Sequence, residues 1–140
     1  MNKKIIPSED ILTAVNGLGQ VITNYCNKHG GGIVFICIMK GGFMFFSDLI
    51  KKVHYPIEVD FIRCSSYNDQ QQQELTIHVP LPETDVKDKT VFLVDDILDT
   101  GDTMKALKKH FKNIGAKRVE TVSAVYKENV DFPNHFYIYK

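Results

Sequence analysis

The sequence predicts an α/β fold in which helices flank a mainly parallel sheet. The runs Ile33–Met39 and 91–94 are continuously apolar, which is typical of strands buried on both faces, and 119–125 is a third strand candidate. Stretches with helical periodicity alternate with these runs. Because strands that alternate with helices usually pair in parallel through right-handed crossovers, we expect one sheet with helices on its faces.

Three segments have the periodicity of helices. The first begins at Ser8, a potential N-cap, and ends at the glycines 30–32. The second covers 43–53, and Phe43 is among the residues expected to face inward. The third covers 101–114 and stops before a glycine, a common helix terminator.

The remaining elements are predicted from alternation and composition. Apolar residues alternate over 57–62 and 75–79, and a short last strand is predicted over 136–139. Residues 64–73 are polar and aperiodic, which indicates a mobile loop. No linker or repeat divides the chain, so we expect a single domain over residues 1–140.

Composition argues against several classes of protein. The 140 residues include 17 basic and 17 acidic side chains, and this balance argues against a nucleic-acid partner. Cys26, Cys37 and Cys64 form no Cys-x-x-Cys motif, so we expect free thiols in a reducing compartment. No stretch approaches the ~18 apolar residues of a membrane span, and the amino terminus lacks the apolar core of a signal peptide. These features predict a cytoplasmic protein without a membrane partner.

The segment Val-Phe-Leu-Val-Asp-Asp-Ile-Leu-Asp-Thr-Gly-Asp-Thr, residues 91–103, is the most informative for function. A buried strand delivers two carboxylates at its carboxyl end, the edge at which open α/β sheets bind ligands. A tight loop and a helix N-terminus follow, and both favour an anion. Thr100 and Thr103 add hydroxyl donors, and Gly101 permits close approach of the backbone. The segment therefore predicts a phosphate site.

The two carboxylates, Asp95 and Asp96, indicate what the phosphate belongs to. They would repel a bare anion, but they suit sugar hydroxyls or a hydrated Mg²⁺ ion. A ribose 5-phosphate satisfies both requirements. Asp99 lies between the acid pair and the threonines, where it could reach a base or the anomeric carbon.

This pattern closely resembles the signature with which type I phosphoribosyltransferases bind 5-phosphoribosyl-1-pyrophosphate (PRPP). Three other stretches resemble the 6-oxopurine branch of that family, the hypoxanthine-guanine and xanthine enzymes. Residues 38–49 are similar to its pyrophosphate loop, 59–67 to the strand that leads into its catalytic loop, and 125–127 to the strand that bears its purine-recognition lysine.

The resemblance implies Mg²⁺-dependent transfer of the phosphoribosyl group from PRPP to N9 of hypoxanthine, guanine or xanthine, a reaction of purine salvage. It implies that Asp95 and Asp96 contact the ribose hydroxyls and share the metal, and that residues 100–103, Asp102 included, hold the 5-phosphate. Asp99 would be the general base at purine N7. Lys127 would donate to the purine 6-oxygen. The implied contacts to pyrophosphate are made by Lys40, Gly41, Ser66 and Tyr67.

The chain departs from the family after the purine lysine. The family continues through a hood that stacks an aromatic ring on the base, whereas only residues 128–140 follow here, so we expect the hood to be reduced or missing. Phe132, Phe136 and Tyr137 are the candidate rings. Position 102 is also acidic where some relatives carry a base, which would weaken phosphate binding unless the side chain points outward.

Two alternatives to the enzyme stay open. A non-catalytic module could bind PRPP as a regulator, although the chain lacks an appended DNA-binding domain or a basic stripe. A receiver-like signalling domain also uses an acid pair and a lysine, but its acid pair comes on the first strand. Family members are commonly dimers or tetramers, and the apolar first helix suits such an interface, so we expect a homodimer or homotetramer.

Overall fold

The structure, a computed structural model, describes residues 6–39, 41–69, 72–77, 85–127, 130, 132 and 135–140. Within 65–69 and 72–77 it describes the backbone alone. The described elements, in chain order, are α1 (Ser8–His29), β1 (Ile33–Met39), α2 (Phe43–Ile50), β2 (Glu58–Asp69), β3 (Gln72–Ile77), β4 (Thr90–Leu98), α3 (Asp102–Asn113), β5 (Arg118–Tyr126) and β6 (His135–Tyr139).

The strands form one six-stranded sheet of order β3-β2-β1-β4-β5-β6. β2, β1, β4, β5 and β6 run parallel to their neighbours, and β3 pairs antiparallel with β2. The predicted class, a mainly parallel sheet flanked by helices, is confirmed. β4 lies between β1 and β5, so the acid pair that it carries is central in the sheet.

Apolar cores lie on both faces of the sheet. Ile33, Phe35 and Cys37 of β1 pack with α1 and α2, whereas the even-numbered residues 34, 36 and 38 pack on the side of α3. Phe35 stacks on Phe92 of β4 with ring centroids 4.7 Å apart. Full burial of such side chains stabilises the fold by about 1.5–3 kcal/mol each. Burial on both faces explains why β1 is apolar without alternation.

The expected cap of the first helix is wrong by one residue. α1 begins at Ser8, so the N-cap position is taken by Pro7. The carbonyl of Pro7 instead accepts the amides of Asp10 and Ile11 at 3.1 and 3.2 Å. The predicted end is confirmed, because Gly30 caps the helix with φ +66° and donates its N–H to Cys26 at 2.8 Å.

The second helix is shorter than predicted. α2 ends at Ile50. The Lys52 amide then donates to the Leu49 carbonyl at 2.9 Å, three residues back instead of the four of an α-helix. Phe43 does not face inward, since it is 50% exposed. As the first residue of α2 it lies beyond the part of the helix that packs on the sheet, which begins near Phe46.

The predicted loop over 64–73 is also wrong. β2 continues to Asp69, and residues 64–69 pair antiparallel with residues 72–77. An antiparallel ladder is held by backbone hydrogen bonds and needs no apolar periodicity, which is why a polar sequence can form it. The strand expected over 57–62 is confirmed as the first half of β2. The last residues of the strand expected over 75–79 lie outside the described chain.

In the part of the chain that the structure describes, no helix combines the length and the apolar character that a membrane span requires. The cysteines Cys26, Cys37 and Cys64 carry free thiols. Burial raises the pKa of Cys26 and of Cys37 to about 11, so both behave as small apolar side chains.

Candidate substrate-binding site

Local hydrogen bonds orient the acid pair on β4. The strand continues beyond both acids to Leu98, so the pair lies near the carboxyl end of the strand rather than at the end itself, as was expected. The Asp96 amide donates to Asp95 Oδ1, and the Ile97 amide donates to Asp96 Oδ1, each at 2.8 Å. The amide of the following residue thus orients each carboxylate.

The surroundings of Asp95 disfavour its charged form. Burial raises its pKa to about 7, and the hydrogen bond to Asp96 and the charge of that carboxylate add to the rise. A bound cation would offset the charge that the protein environment disfavours.

Asp95 and Asp96 are oxygen donors of the kind that Mg²⁺ prefers. Among the described residues, no group of three or more His, Cys, Asp or Glu side chains could hold a metal ion. A metal at Asp95 and Asp96 would take its other ligands from substrate and water, as Mg²⁺ usually does at phosphate sites.

The predicted phosphate loop, residues 99–103, leads from β4 into the first turn of α3. Gly101 adopts φ +84°, a conformation that favours glycine, and α3 begins one residue later than predicted, at Asp102. The Asp102 amide donates to Thr100 Oγ1 at 3.3 Å. The helix N-terminus faces a cavity of about 200 Å³. That cavity is lined by Asp95, Ile97, Leu98, Asp99, Thr100, Gly101, Thr103 and Met104.

The loop after β1 lies against the acid pair. A Cβ atom at Gly41 would stand 2.6 Å from Asp96 Oδ2, and one at Gly42 would stand 3.1 Å from the Asp95 Cα. The predicted pyrophosphate loop and the predicted metal site therefore meet. The binding role of Gly41 stays a prediction, and Lys40 lies outside the described residues.

The predicted general base and the predicted purine lysine are paired. Lys127 Nζ lies 2.9 Å from Asp99 Oδ1, and their side chains are 61% and 62% exposed. The Lys127 amide also donates to the Leu98 carbonyl at 3.0 Å, which fixes the end of β5 beside the phosphate loop. An exposed ion pair stabilises a fold by only about 0–1 kcal/mol, so a ligand can replace it at small cost.

Two predicted residues are not brought into this arrangement by any described contact. Ser66 and Tyr67 lie on β2, opposite Leu75 and Glu74 of β3, and the structure describes their backbone alone. Asp102, which is predicted to help hold the 5-phosphate, is exposed and is not among the residues that line the cavity. An acid in the first turn of a helix also interacts favourably with the helix dipole.

The candidate stacking rings differ in their surroundings. Phe136 packs in the core of the α1 face, with its ring centroid 5.9 Å from that of Tyr25. Phe132 is 6% exposed and lies against Gly101. Tyr137 is 40% exposed and stacks on His135 with centroids 6.3 Å apart. The packing of Phe132 under the phosphate loop has no signal in the sequence, because nothing in the spacing joins the two residues.

Two larger cavities lie away from these residues. One of about 460 Å³ lies beside Tyr55 and Pro56, and one of about 320 Å³ lies between α1 and β6. Neither is lined by the acid pair or by the threonines of the phosphate loop. Chemistry, rather than volume, therefore identifies the smaller cavity as the candidate site.

The parallel sheet, the acid pair beside a helix N-terminus and the lysine directly after the next strand are typical of an α/β protein of the phosphoribosyltransferase class. A family model described as a phosphoribosyl transferase domain matches residues 3–140. The chain belongs to this family, and the resemblance stated from its motifs is confirmed.

The relatives belong to the 6-oxopurine branch. Hypoxanthine phosphoribosyltransferase of Salmonella typhimurium is 34% identical over 107 residues, which are 75% of this chain and 60% of the relative. Hypoxanthine-guanine phosphoribosyltransferase of Streptococcus pneumoniae is 34% identical over 128 residues, 89% of this chain and 69% of the relative. The chain thus spans about 60% of the length of the first of these curated relatives.

Solved structures agree with this assignment of the fold. The crystal structure of a hypoxanthine phosphoribosyltransferase from Staphylococcus aureus superposes with a TM-score of 0.87 at 28% sequence identity. The match covers 100% of this chain and 77% of that one. The predicted type I phosphoribosyltransferase-like fold is therefore confirmed.

Proposed function

We propose that this chain transfers the phosphoribosyl group from PRPP to N9 of a 6-oxopurine, namely hypoxanthine, guanine or xanthine, in purine salvage. The products are the nucleoside monophosphate and pyrophosphate. The carrying observation is that the acid pair, the phosphate loop and the Asp99–Lys127 ion pair meet at the carboxyl end of one sheet. The names of the relatives support the oxopurine as acceptor.

The phosphate end of the site binds PRPP. The threonine hydroxyls and loop amides of residues 100–103 donate to the 5-phosphate, at the N-terminus of α3. The carboxylates of Asp95 and Asp96 accept from the ribose hydroxyls and would hold Mg²⁺. The metal, when bound, neutralises charge on the departing pyrophosphate.

The base end orients the purine. The Asp99 carboxylate accepts the proton at N7, and the Lys127 ammonium donates to the 6-oxygen. The purine thus replaces the Asp99–Lys127 contact: its N7 side bonds Asp99 and its 6-oxygen bonds Lys127. The N9–C1′ bond forms as the bond from C1′ to the pyrophosphate oxygen breaks, and the N7 proton passes to Asp99.

The pyrophosphate end combines two segments. Gly41, which contacts the acid pair, would present its amide to pyrophosphate together with Lys40. The β2–β3 hairpin, with Ser66 and Tyr67, would close over it and exclude water that would otherwise hydrolyse PRPP.

Neutral adenine, which has an amino group in place of the 6-oxygen, would leave Lys127 without an acceptor.

We further propose one domain in the cytoplasm that forms a homodimer or homotetramer. The free thiols support a reducing compartment. Exposed apolar side chains on α1 support an interface between copies, since Ile11, Leu12 and Val21 are 39%, 54% and 52% exposed.

The test is to mix the purified chain with PRPP, Mg²⁺ and each of hypoxanthine, guanine, xanthine and adenine, and to follow nucleotide formation by chromatography. We expect product with at least one oxopurine, none with adenine, and none when EDTA removes the metal. PRPP binding by calorimetry without any product would favour the regulatory alternative. Neither binding nor product would contradict the proposal.

A further inference from the structure

Phe132 lies beneath the phosphate loop. Its ring atom Cδ2 stands 2.9 Å from the position that a Cβ atom at Gly101 would take. Gly101 has φ +84°, and Phe132 is 6% exposed. The ring therefore occupies the space that a side chain in the middle of the loop would need.

The core around Phe132 joins the residues on both sides of the loop. Leu98 precedes the loop and Met104 follows it, and both belong with Phe132 to the core on the α3 face. Leu98 is 2% and Met104 is 3% exposed. The loop thus rests on an apolar layer to which Phe132 contributes from outside the β4–α3 segment.

Tyr126 fixes the position of Phe132. Its hydroxyl accepts the Phe132 amide at 2.9 Å and donates to the Val130 carbonyl. Tyr126 is 6% exposed and is the last residue of β5, directly before Lys127. The His135 ring meets that of Phe132 edge-on, with centroids 5.7 Å apart. Phe132 is therefore held from two sides and is not free to follow movements of the loop.

A phosphate loop binds through amides whose directions must be set before the ligand arrives. Since glycine at position 101 lacks a side chain, the loop cannot fix its own backbone by packing and depends on what lies beneath it. We infer that Phe132 is a positioning residue for the 5-phosphate loop, and that Tyr126 holds it in place. This inference rests on the proposed function.

The role predicts a specific kinetic signature. Loss of the ring should weaken PRPP binding, because the loop must then be ordered by the ligand itself. It should change the chemical step less, because Asp99 directly follows β4 and pairs with Lys127, whose amide is bonded to the Leu98 carbonyl. We expect Phe132→Leu to raise the KM and the Kd for PRPP about tenfold, with kcat changed less than about threefold.

A matched control separates positioning from stability. Phe111 is fully buried in the same core but lies near the far end of α3. Phe111→Leu should lower the Tm as Phe132→Leu does, and it should leave the KM for PRPP unchanged. Equal KM values in both variants, or a loss confined to kcat in Phe132→Leu, would overturn the inference.

A second variant tests the contact from the other side. Gly101→Ala places a methyl group against the ring, and it should also weaken PRPP binding. In the background of Phe132→Leu, part of this effect should disappear, because the smaller side chain makes room. Full additivity in this double-mutant cycle would show that the contact does not control the loop.

Binding and turnover by the unmutated chain keep the two claims distinguishable. If the unmutated chain binds PRPP and Phe132→Leu binds it equally well, the positioning role fails and the proposed function stands. If the unmutated chain does not bind PRPP, both fail. The calorimetric Kd for PRPP with Mg²⁺ serves as the readout whether or not any base is turned over.

Discussion

The phosphate end and the base end of the site are built in different ways. At the phosphate end, bonds join neighbours: the Asp96 amide bonds Asp95, and the Asp102 amide bonds Thr100. At the base end, Lys127 reaches back 28 residues to Asp99. The Asp99–Lys127 contact is made only at the base end, so a substitution of either side chain removes a contact that the phosphate end does not use. Base recognition should therefore be lost by changes that PRPP binding survives.

The largest effect should come from Asp99→Asn. An amide keeps the size of the side chain but cannot take the N7 proton, so turnover should fall by about two to four orders of magnitude. The Kd for PRPP should change little, because the phosphate end is intact. Steady-state kinetics and calorimetry give the two numbers. Near-normal turnover would remove Asp99 from the role of base.

Lys127→Ala should reduce purine discrimination. The lost hydrogen bond from a charged donor corresponds to about a 10- to 100-fold loss in kcat/KM for oxopurines. Activity with adenine should not fall in parallel. Lys109→Ala, a change at another exposed lysine, is the control and should have no effect. Unchanged oxopurine kinetics in the Lys127 variant would exclude the proposed contact.

Gly41→Ala tests how closely the pyrophosphate loop must approach the acids. The new methyl group would stand 2.6 Å from Asp96 Oδ2, so the loop or the acid must move. We expect the KM for PRPP to rise about tenfold. Gly17→Ala is the matched control, because a Cβ there meets nothing within 4 Å. A KM that both variants leave unchanged would argue against this loop as part of the site.

The pH dependence of PRPP binding should report Asp95. Its pKa of about 7 means that binding of a metal or of ribose hydroxyls must release a proton at lower pH. Affinity for PRPP and Mg²⁺ should rise between pH 6 and 8, at most about tenfold per unit below pH 7. Asp95→Asn is the control, because in that variant the phosphate groups of PRPP still titrate but position 95 does not. The same slope in both proteins would contradict the role of Asp95.

A smaller effect should appear in stability. His135 bonds Thr121 Oγ1 at 2.8 Å and Ser123 Oγ at 2.7 Å, and burial lowers its pKa to about 4. As the pH falls, His135 is protonated in the unfolded chain before it is protonated in the folded one. The contribution of neutral His135 to the free energy of unfolding is therefore fully present above about pH 6.5 and is lost as the pH drops toward 4. Tm should fall by about a few degrees between pH 7 and 5, and less in His135→Gln. Equal pH dependence in both would show that His135 does not contribute.

The same contrast explains how far the sequence could predict the molecule. The acid pair and the phosphate loop lie in one stretch whose residue order reflects their contacts, and the continuous apolar run of β1 revealed a central strand. Phe132 could not be assigned, because its contact with Gly101 joins segments whose spacing carries no pattern. The β2–β3 hairpin was missed because backbone pairing, rather than apolar side chains, holds it.

The most direct test is calorimetric titration of PRPP with Mg²⁺ into the unmutated chain, Lys127→Ala and the double variant Thr100→Val/Thr103→Val. If residues 100–103 form the phosphate site and act independently of the base end, the threonine variant should bind at least about a hundredfold more weakly. Lys127→Ala should bind like the unmutated chain. Equal affinity in all three proteins, or loss only in Lys127→Ala, would contradict the assignment of the phosphate site.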